Sequence, residues 1–280
     1  MAERAPISRR GFIEAALGTV AIAGVGCGGD GGEAASAGGA TSGSTGGAST
    51  GGAATGGVGG LAAGGTASGG AGGAGGDSAL VALVRGADVI QATQDAITAL
   101  GGLPDLTGLT VMLRPNAIDV APPGSVNPDV IRGVIRAIRA AGTPASIVVA
   151  DDTFTGATLT RMENNGIRAA AEAEGATCLG LEGGDTTRSS PEGADEWPDG
   201  IAFYTAVLEA DYLINIPVCK THGSANFSMA LKGWYGNVPG SARTQSHSNV
   251  ATISRTMAEM HLVKREDFVV LDATSCLLTG

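Results

Sequence analysis

The sequence predicts an α/β domain, a mostly parallel sheet with helices on both faces. Three observations carry that expectation. Apolar runs of strand length recur through residues 78–280, amphipathic stretches of helical period separate them, and the Val/Ile/Leu character of the runs is continuous rather than alternating. Continuously apolar strands suit a sheet buried on both faces, and strand–helix alternation builds a parallel one. The roughly 200 residues involved are a normal size for one domain with its own core.

In chain order, strands are expected at residues 79–84, 110–113, 146–150, 177–181, 212–216 and 268–271. Helices are expected at 89–100, 128–141, 161–174 and 203–210. The second is the clearest. Val130, Ile131, Val134, Ile135 and Ile138 fall on one stripe, with Arg132, Arg136 and Arg139 largely outside it. Asn127 suits the N-cap, Pro128 the first helical position, and Gly142 can end the helix.

The N-terminus has a different logic. Ser8-Arg9-Arg10-Gly11-Phe12-Ile13 has the form of a twin-arginine export signal, and an apolar run follows over residues 15–26. That run is shorter than the ~20 residues that span a bilayer, so it reads as the h-region of a signal peptide. An ordinary buried helix is the competing reading, but the tract that follows gives it nothing to pack against. Cys27 stands where a lipoprotein signal is cut, although the residue three before it is Gly24 where Leu is usual. It is either a lipidation site, whose several acyl chains anchor the protein stably, or a point of cleavage and release.

Residues 28–77 are nearly all Gly, Ala, Ser and Thr, a composition that cannot offset the entropy of ordering. As a flexible coil of about 50 residues this linker reaches roughly 40 Å. Within it, Gly47-Ala48-Ser49-Thr50-Gly51 fits the hydrolase elbow by chance, since no strand precedes it and no helix follows. The expected organisation is a signal peptide at 1–27, a linker at 28–77 and the domain at 78–280. The expected partners are the twin-arginine translocase and, through a lipid anchor, the membrane. The place is the periplasm or outer cell envelope.

A net charge of −10 argues against nucleic acid as a partner. Beyond Cys27 there are only Cys178, Cys219 and Cys276, with no C-x-x-C pair. They form neither a disulfide framework nor an iron–sulfur or zinc set, and read as small buried apolar residues.

In parallel sheets ligands bind beyond the carboxyl ends of the strands. That rule selects Arg114-Pro115-Asn116, Asp151-Asp152, the segment from Pro217 to His222, and Asp272. Between Asp211 and Glu259 there is no acidic residue, although the chain holds 27 in 280. The same stretch carries Lys220, Lys232, Arg243 and Arg255, with His222 and His247, two of only three histidines. An acid-free, cation-bearing stretch in an acidic protein is what an anion site needs; the competing reading is a surface region with solvated lysines. Gly233, Gly236 and Gly240 would let the backbone approach a ligand. No G-x-x-x-x-G-K-[ST] pattern supports a nucleoside triphosphate site. His222 and His247 are open to three roles: an acid–base pair, metal ligands completed by Asp151, Asp152 or Asp272, or structural histidines. Asp151-Asp152 can equally cap the turn after their strand. Trp234 and Tyr235 can stack on a ligand or fill the core.

At these residues the chain resembles the domain of unknown function 362 family of bacteria and archaea. The matching pieces are Arg114-Pro115-Asn116, Asp151-Asp152, the run from Asp211 through Lys220-Thr221-His222, Ala230-Leu231-Lys232-Gly233-Trp234-Tyr235-Gly236, His247 and Asp272. The resemblance covers about residue 80 to the end and implies an α/β fold. Some members carry a ferredoxin-like cysteine cluster, which this sequence lacks. Family domains usually continue past the position of Gly280, so the domain is expected to be truncated at its C-terminus.

The expected function is that of an envelope-facing enzyme or cofactor-dependent protein acting on an anionic small molecule. Lys220 and Lys232 hold the anion with Thr221 and Gly233 beside them, His222 and His247 act as acid–base groups or ligands, and Arg114 and Asn116 orient the substrate. Twin-arginine export is compatible with a cofactor inserted before translocation, and the residues name none. The alternative is a non-catalytic binding module for a solute or partner.

Overall fold

The computed structural model describes residues 20–24, 67–69, 80–118, 122–153 and 156–277. Its first half contains β1 (Val20–Gly24), β2 (Ala67–Gly69), β3 (Val81–Arg85), α1 (Val89–Ala99), β4 (Thr110–Pro115), α2 (Pro128–Ala140) and β5 (Ser146–Asp151). Then come α3 (Thr158–Asn164), α4 (Ile167–Ala173), β6 (Thr177–Gly180), β7 (Thr186–Ser189), β8 (Ile201–Tyr204), α5 (Thr205–Glu209) and β9 (Tyr212–Ile216). The last part holds β10 (Val218–His222), β11 (Asn226–Ser228), α6 (Ala230–Gly233), a 3-10 turn at Trp234–Asn237, α7 (Gly240–His247), α8 (Ile253–Met260) and β12 (Phe268–Leu277).

The main sheet runs β2-β3-β1-β12-β9-β4-β5-β6, and β10 joins it along β12. From β3 to β6 every neighbouring pair is parallel, while β2 and β11 attach antiparallel. The α/β class with a mostly parallel sheet is therefore observed. Alternation along β4 shows how both faces are covered. Val111 and Leu113 pack with α1, α2 and α4, while Met112 on the other face joins Phe203, Val207, Trp234 and Met257.

The helix expected at 128–141 is α2, and all five residues of its stripe are fully buried. The Asn127 side chain accepts from the Asp129 amide at 2.9 Å, as a cap should. The arginines outside the stripe reach the end of α4. Arg136 pairs with Glu174 at 2.7 Å and Arg139 donates to the Glu174 carbonyl at 2.8 Å, cations placed at a helix C-terminus.

Three boundaries differ from expectation. The helix expected at 161–174 is two, because Gly166 adopts φ 81° between α3 and α4. Phe203 and Tyr204 end β8 rather than start a helix, and their buried aromatic rings suit a strand. Residues 218–222, placed beyond a strand end, themselves form β10.

The signal residues 8–13, Cys27 and most of the linker lie outside the described residues. Inside the run read as the h-region, Val20–Gly24 forms β1 between β3 and β12. Within the stretch expected to lack regular structure, Ala67–Gly69 forms β2. The cysteines are less buried than expected: Cys178 and Cys219 are half-buried and Cys276 is exposed. Burial nonetheless pushes the Cys178 thiol up to about 11.

One close contact sets the approach of α1 to α2. A Cβ on Gly133 would lie 2.7 Å from the Thr93 Cβ and 2.9 Å from the Ile90 carbonyl oxygen. Alanine gains up to about 1 kcal/mol of helix propensity over glycine, but overpacking costs about 1–3 kcal/mol. Gly133→Ala is expected to lower stability by a net ~1–2 kcal/mol, read as a lower urea midpoint at unchanged slope.

Candidate functional site

β4 and β9 lie side by side, yet the chain leaves β4 toward β5 and leaves β9 toward β12. Where adjacent parallel strands send their connections in opposite directions, a crevice opens at their carboxyl ends. Two buried ion pairs occupy this edge. Arg114, near the end of β4, meets Asp151 at the end of β5 with Nη2–Oδ1 3.0 Å. Its Nε donates to Asn237 Oδ1 at 2.5 Å and its Nη1 to the Ala150 carbonyl. Arg243 of α7 meets Asp152 with Nη2–Oδ2 2.5 Å, and Tyr204 donates its hydroxyl to the same oxygen. None of the four charged side chains is more than 8% exposed. An ion alone at such a place costs several kcal/mol, roughly, so two arginines and two aspartates cancel one another.

Beside this quartet is a cluster of nitrogen bases. Lys220 and His222 come from β10, Lys232 from α6 and His247 from α7. The imidazole centroids of His222 and His247 are 6.1 Å apart. Lys232 Nζ stands 4.5 Å from the centroid of the Tyr235 ring, against which His247 packs edge-on at 4.9 Å. Lys220 Nζ donates to the Gly124 carbonyl at 2.6 Å and to Asn116 Oδ1 at 3.3 Å, both neutral acceptors.

The backbone assigns each histidine its tautomer. His222 Nδ1 accepts the amides of Ser224 and Ala225, each at 3.2 Å, across the turn between β10 and β11. A nitrogen that accepts two N–H groups has no room for a proton, so the neutral ring carries its proton on Nε2. His247 Nδ1 lies 2.8 Å from the Arg243 carbonyl oxygen, which can only accept. The proton there is on Nδ1, and Nε2 keeps a lone pair. Burial, then the charge of Lys232, His247 and Lys220, pushes His222 down to about 4. Burial also lowers His247, opposed by its bond to the Arg243 carbonyl. Lys232 is pushed down to about 8 by burial and by the cations Lys220 and Arg243. At neutral pH the site therefore holds two neutral imidazoles of opposite tautomer beside two lysines.

Several expected roles change. Arg114 was expected to orient a substrate, but its guanidinium is sealed and bonded to protein, so it works beneath the site. Asn116 is half-buried, and its Oδ1 accepts from Lys220 Nζ at 3.3 Å. Gly233 and Gly236 serve close approach of the chain to itself. A Cβ on Gly233 would meet Asn215 Oδ1 at 3.1 Å, and one on Gly236 would overlap the Asp151 carboxylate and the Arg114 guanidinium. Gly240 opens α7. Thr221 is half-buried on β10, across from Phe227. Asp151 and Asp152 face arginines, and among the described residues no three His, Cys, Asp or Glu side chains gather to hold a metal ion. Asp272 accepts the Asn127 amide at 2.7 Å and so braces the start of α2. Trp234 is a fully buried core residue, whereas Tyr235 turns its face to the cluster. Arg255 is exposed and pairs with Glu196 at 3.0 Å, apart from the cluster. Tyr204 and Asn237 escaped sequence reading, since Tyr204 meets its partner across 52 residues with no local pattern. Two grooves border α7 near Trp197 and Gln245, and neither is lined by the cluster's lysines or histidines.

The profile of the domain of unknown function (DUF362) family matches residues 111–280, well over half of the chain, and the chain belongs to that family. A thylakoid-associated protein of Synechocystis sp. is 25% identical over 166 residues, covering 58% of this chain and 50% of the relative. A crystal structure of a Thermotoga maritima protein aligns at 14% identity and a TM-score of 0.41, covering 63% of this chain and 49% of that one. The chain thus spans about half the length of each.

Gly236 tests the quartet. Gly236→Ala forces a methyl into the Arg114–Asp151 pair, and overpacking that also parts buried charges is expected to cost on the order of 3 kcal/mol. Thermal unfolding should show a clearly lower midpoint, and an unchanged midpoint would mean the pair does not abut residue 236.

Proposed function

We propose that this member of the DUF362 family binds an anionic small molecule against Lys220 and Lys232 and moves a proton at a position next to a carbonyl. The observation that carries this reading is the pair of neutral histidines with opposite tautomers beside two lysines. His247 Nε2, with its lone pair, takes the proton; a positioned base contributes about 10²–10⁴-fold. His222 Nε2–H, held by its turn, donates to the oxygen on which negative charge grows. A donor fixed in advance stabilises that charge without reorganising. The ammonium groups hold the anion, and the Arg114–Asp151 and Arg243–Asp152 pairs keep α7 and the 3-10 turn in place. A non-catalytic binding module would use the lysines alike but have no need of the imidazole pair.

We also propose that the chain is exported by the twin-arginine route and retained at the envelope through Cys27. Ser8-Arg9-Arg10-Gly11-Phe12-Ile13 and the apolar run after it support this. Val20–Gly24 cannot be signal and strand at once, so β1 must leave its place between β3 and β12 for export to proceed.

Anion binding is read by titrating inorganic phosphate calorimetrically. An anion favours the protonated amine, so binding raises the pKa of Lys232 above its free-site value of about 8. Affinity is therefore expected to fall above about pH 8 by up to ~10-fold per pH unit. Lys220→Ala or Lys232→Ala should weaken binding by about tenfold, roughly 1.4 kcal/mol. Proton transfer is read by NMR as deuterium entering the methyl group of pyruvate from D2O. His247→Ala should slow that exchange by about 100-fold or more and leave phosphate affinity nearly unchanged. Equal loss of both would mark the histidine as structural, and no exchange in the native chain would favour the binding module.

For export, replacing Arg9 and Arg10 by Lys should leave the full chain in the cytoplasm. Cys27→Ala should move the exported protein from the membrane to the soluble periplasmic fraction. Unchanged fractionation of both variants would overturn the assignment.

A further inference from the structure

We propose that Lys232 is a covalent-capture residue, whose amine condenses with the carbonyl group of the bound anion to form an imine. This rests on the anion-binding reading above and names its substrate class, a small carboxylate- or phosphate-bearing aldehyde or ketone.

The sequence holds three lysines, and their surroundings differ. Lys220 Nζ is bonded to the Gly124 carbonyl and Asn116. Lys264 Nζ donates to the Leu208 and Ala210 carbonyls at 3.4 and 3.1 Å, closing the end of α5. Lys232 Nζ has no hydrogen-bond acceptor and no carboxylate partner among the described residues, and faces the Tyr235 ring at 4.5 Å. The charged groups acting on it, Lys220 and Arg243, are both cationic. His222 stands close enough to feel its charge. An amine that is half-buried, near the cations Lys220 and Arg243 and without an acceptor among the described residues loses its proton readily, which is how a lysine becomes a nucleophile near neutral pH. With its pKa pushed down to about 8 in the empty site, about a tenth of it is free base at pH 7 as the anion arrives, against well under a thousandth for an ordinary lysine.

The step balances with one proton from solvent. The neutral Nζ attacks the carbonyl carbon, and its lone pair becomes the C–N bond while the C–O π pair moves to oxygen. His222 Nε2–H hydrogen-bonds to that oxygen as charge develops. One proton passes from nitrogen to oxygen, His247 Nε2 being the base at hand for the transfer, and the oxygen takes a second proton from solvent. The oxygen departs as water, and a protonated C=N remains. The resulting iminium acidifies the adjacent C–H bond, which His247 is placed to deprotonate. No oxidant or reductant is consumed.

The probe is glyoxylate, the smallest anionic aldehyde, added to the full-length chain with sodium cyanoborohydride and followed by intact mass and peptide mapping. The expected result is a single reduced adduct on Lys232, with Lys220 and Lys264 unmodified, suppressed by excess phosphate. Lys232→Arg, which keeps the charge, should lose the adduct while the chain unfolds at a similar midpoint. Labelling spread over all three lysines, or labelling of Lys232 that phosphate fails to suppress, would overturn the inference. Phosphate binding without any adduct would overturn the imine and leave the anion site standing. Absence of both would remove the two together.

Discussion

The pairing of Arg114 and Arg243 with Asp151 and Asp152 is the constraint on which the site depends. The residues from 212 to 258 contain no acid, so that stretch cannot fasten its own cations. It is fastened from outside. Arg243 of α7 finds Asp152, and the 3-10 turn presents Asn237 to Arg114. The ends of β4 and β5 are thereby joined through buried charges to the 3-10 turn and α7. Removing one partner of a buried pair leaves the other ionised and unpaired, at a cost of about 3–5 kcal/mol. That penalty makes the arrangement specific, because α7 has few other ways to settle on the sheet.

The same pairing decides which charges are left for chemistry. Two of the arginines at this edge are neutralised by aspartates, so neither offers a full charge to a ligand. Lys220 donates to the Gly124 carbonyl and to Asn116, and Lys232 rests on an aromatic face. Burial then weakens both the lysine and the histidines as proton holders, since taking a charge from water costs more than neutral neighbours return. A bound anion reverses that balance by supplying the missing opposite charge. The depressed values of Lys232 and His222 fit the anion site proposed above.

Much of the fold was legible because it follows from local periodicity. The stripe from Val130 to Ile138 and the apolar runs that became β4, β5 and β9 state their structure within a dozen residues. The acid-free stretch located the cluster for a related reason, since a local absence of acids is visible without knowing the fold. Roles inside the site were less legible. Arg114 follows the rule for a ligand-binding strand end, but whether such an arginine meets a substrate or an aspartate depends on contacts 37 and 123 residues away. Gly236 looks like a ligand-approach glycine until Asp151 is seen against it. β10 was missed because Pro217 precedes it and its Lys-Thr-His sequence lacks the apolar run that marks a buried strand.

The two histidines show how backbone geometry assigns chemical roles to identical side chains. His222 faces amides of a turn and must accept at Nδ1, whereas His247, four residues after Arg243 in a helix, faces a carbonyl and must donate there. One ring is left with a proton on its outward nitrogen and the other with a lone pair, and neither needs a carboxylate to fix it. A carboxylate would have raised the imidazole pKa and brought negative charge beside Lys220 and Lys232. Backbone dipoles fix the tautomers without adding net charge, and that is the solution open to a segment that excludes acids.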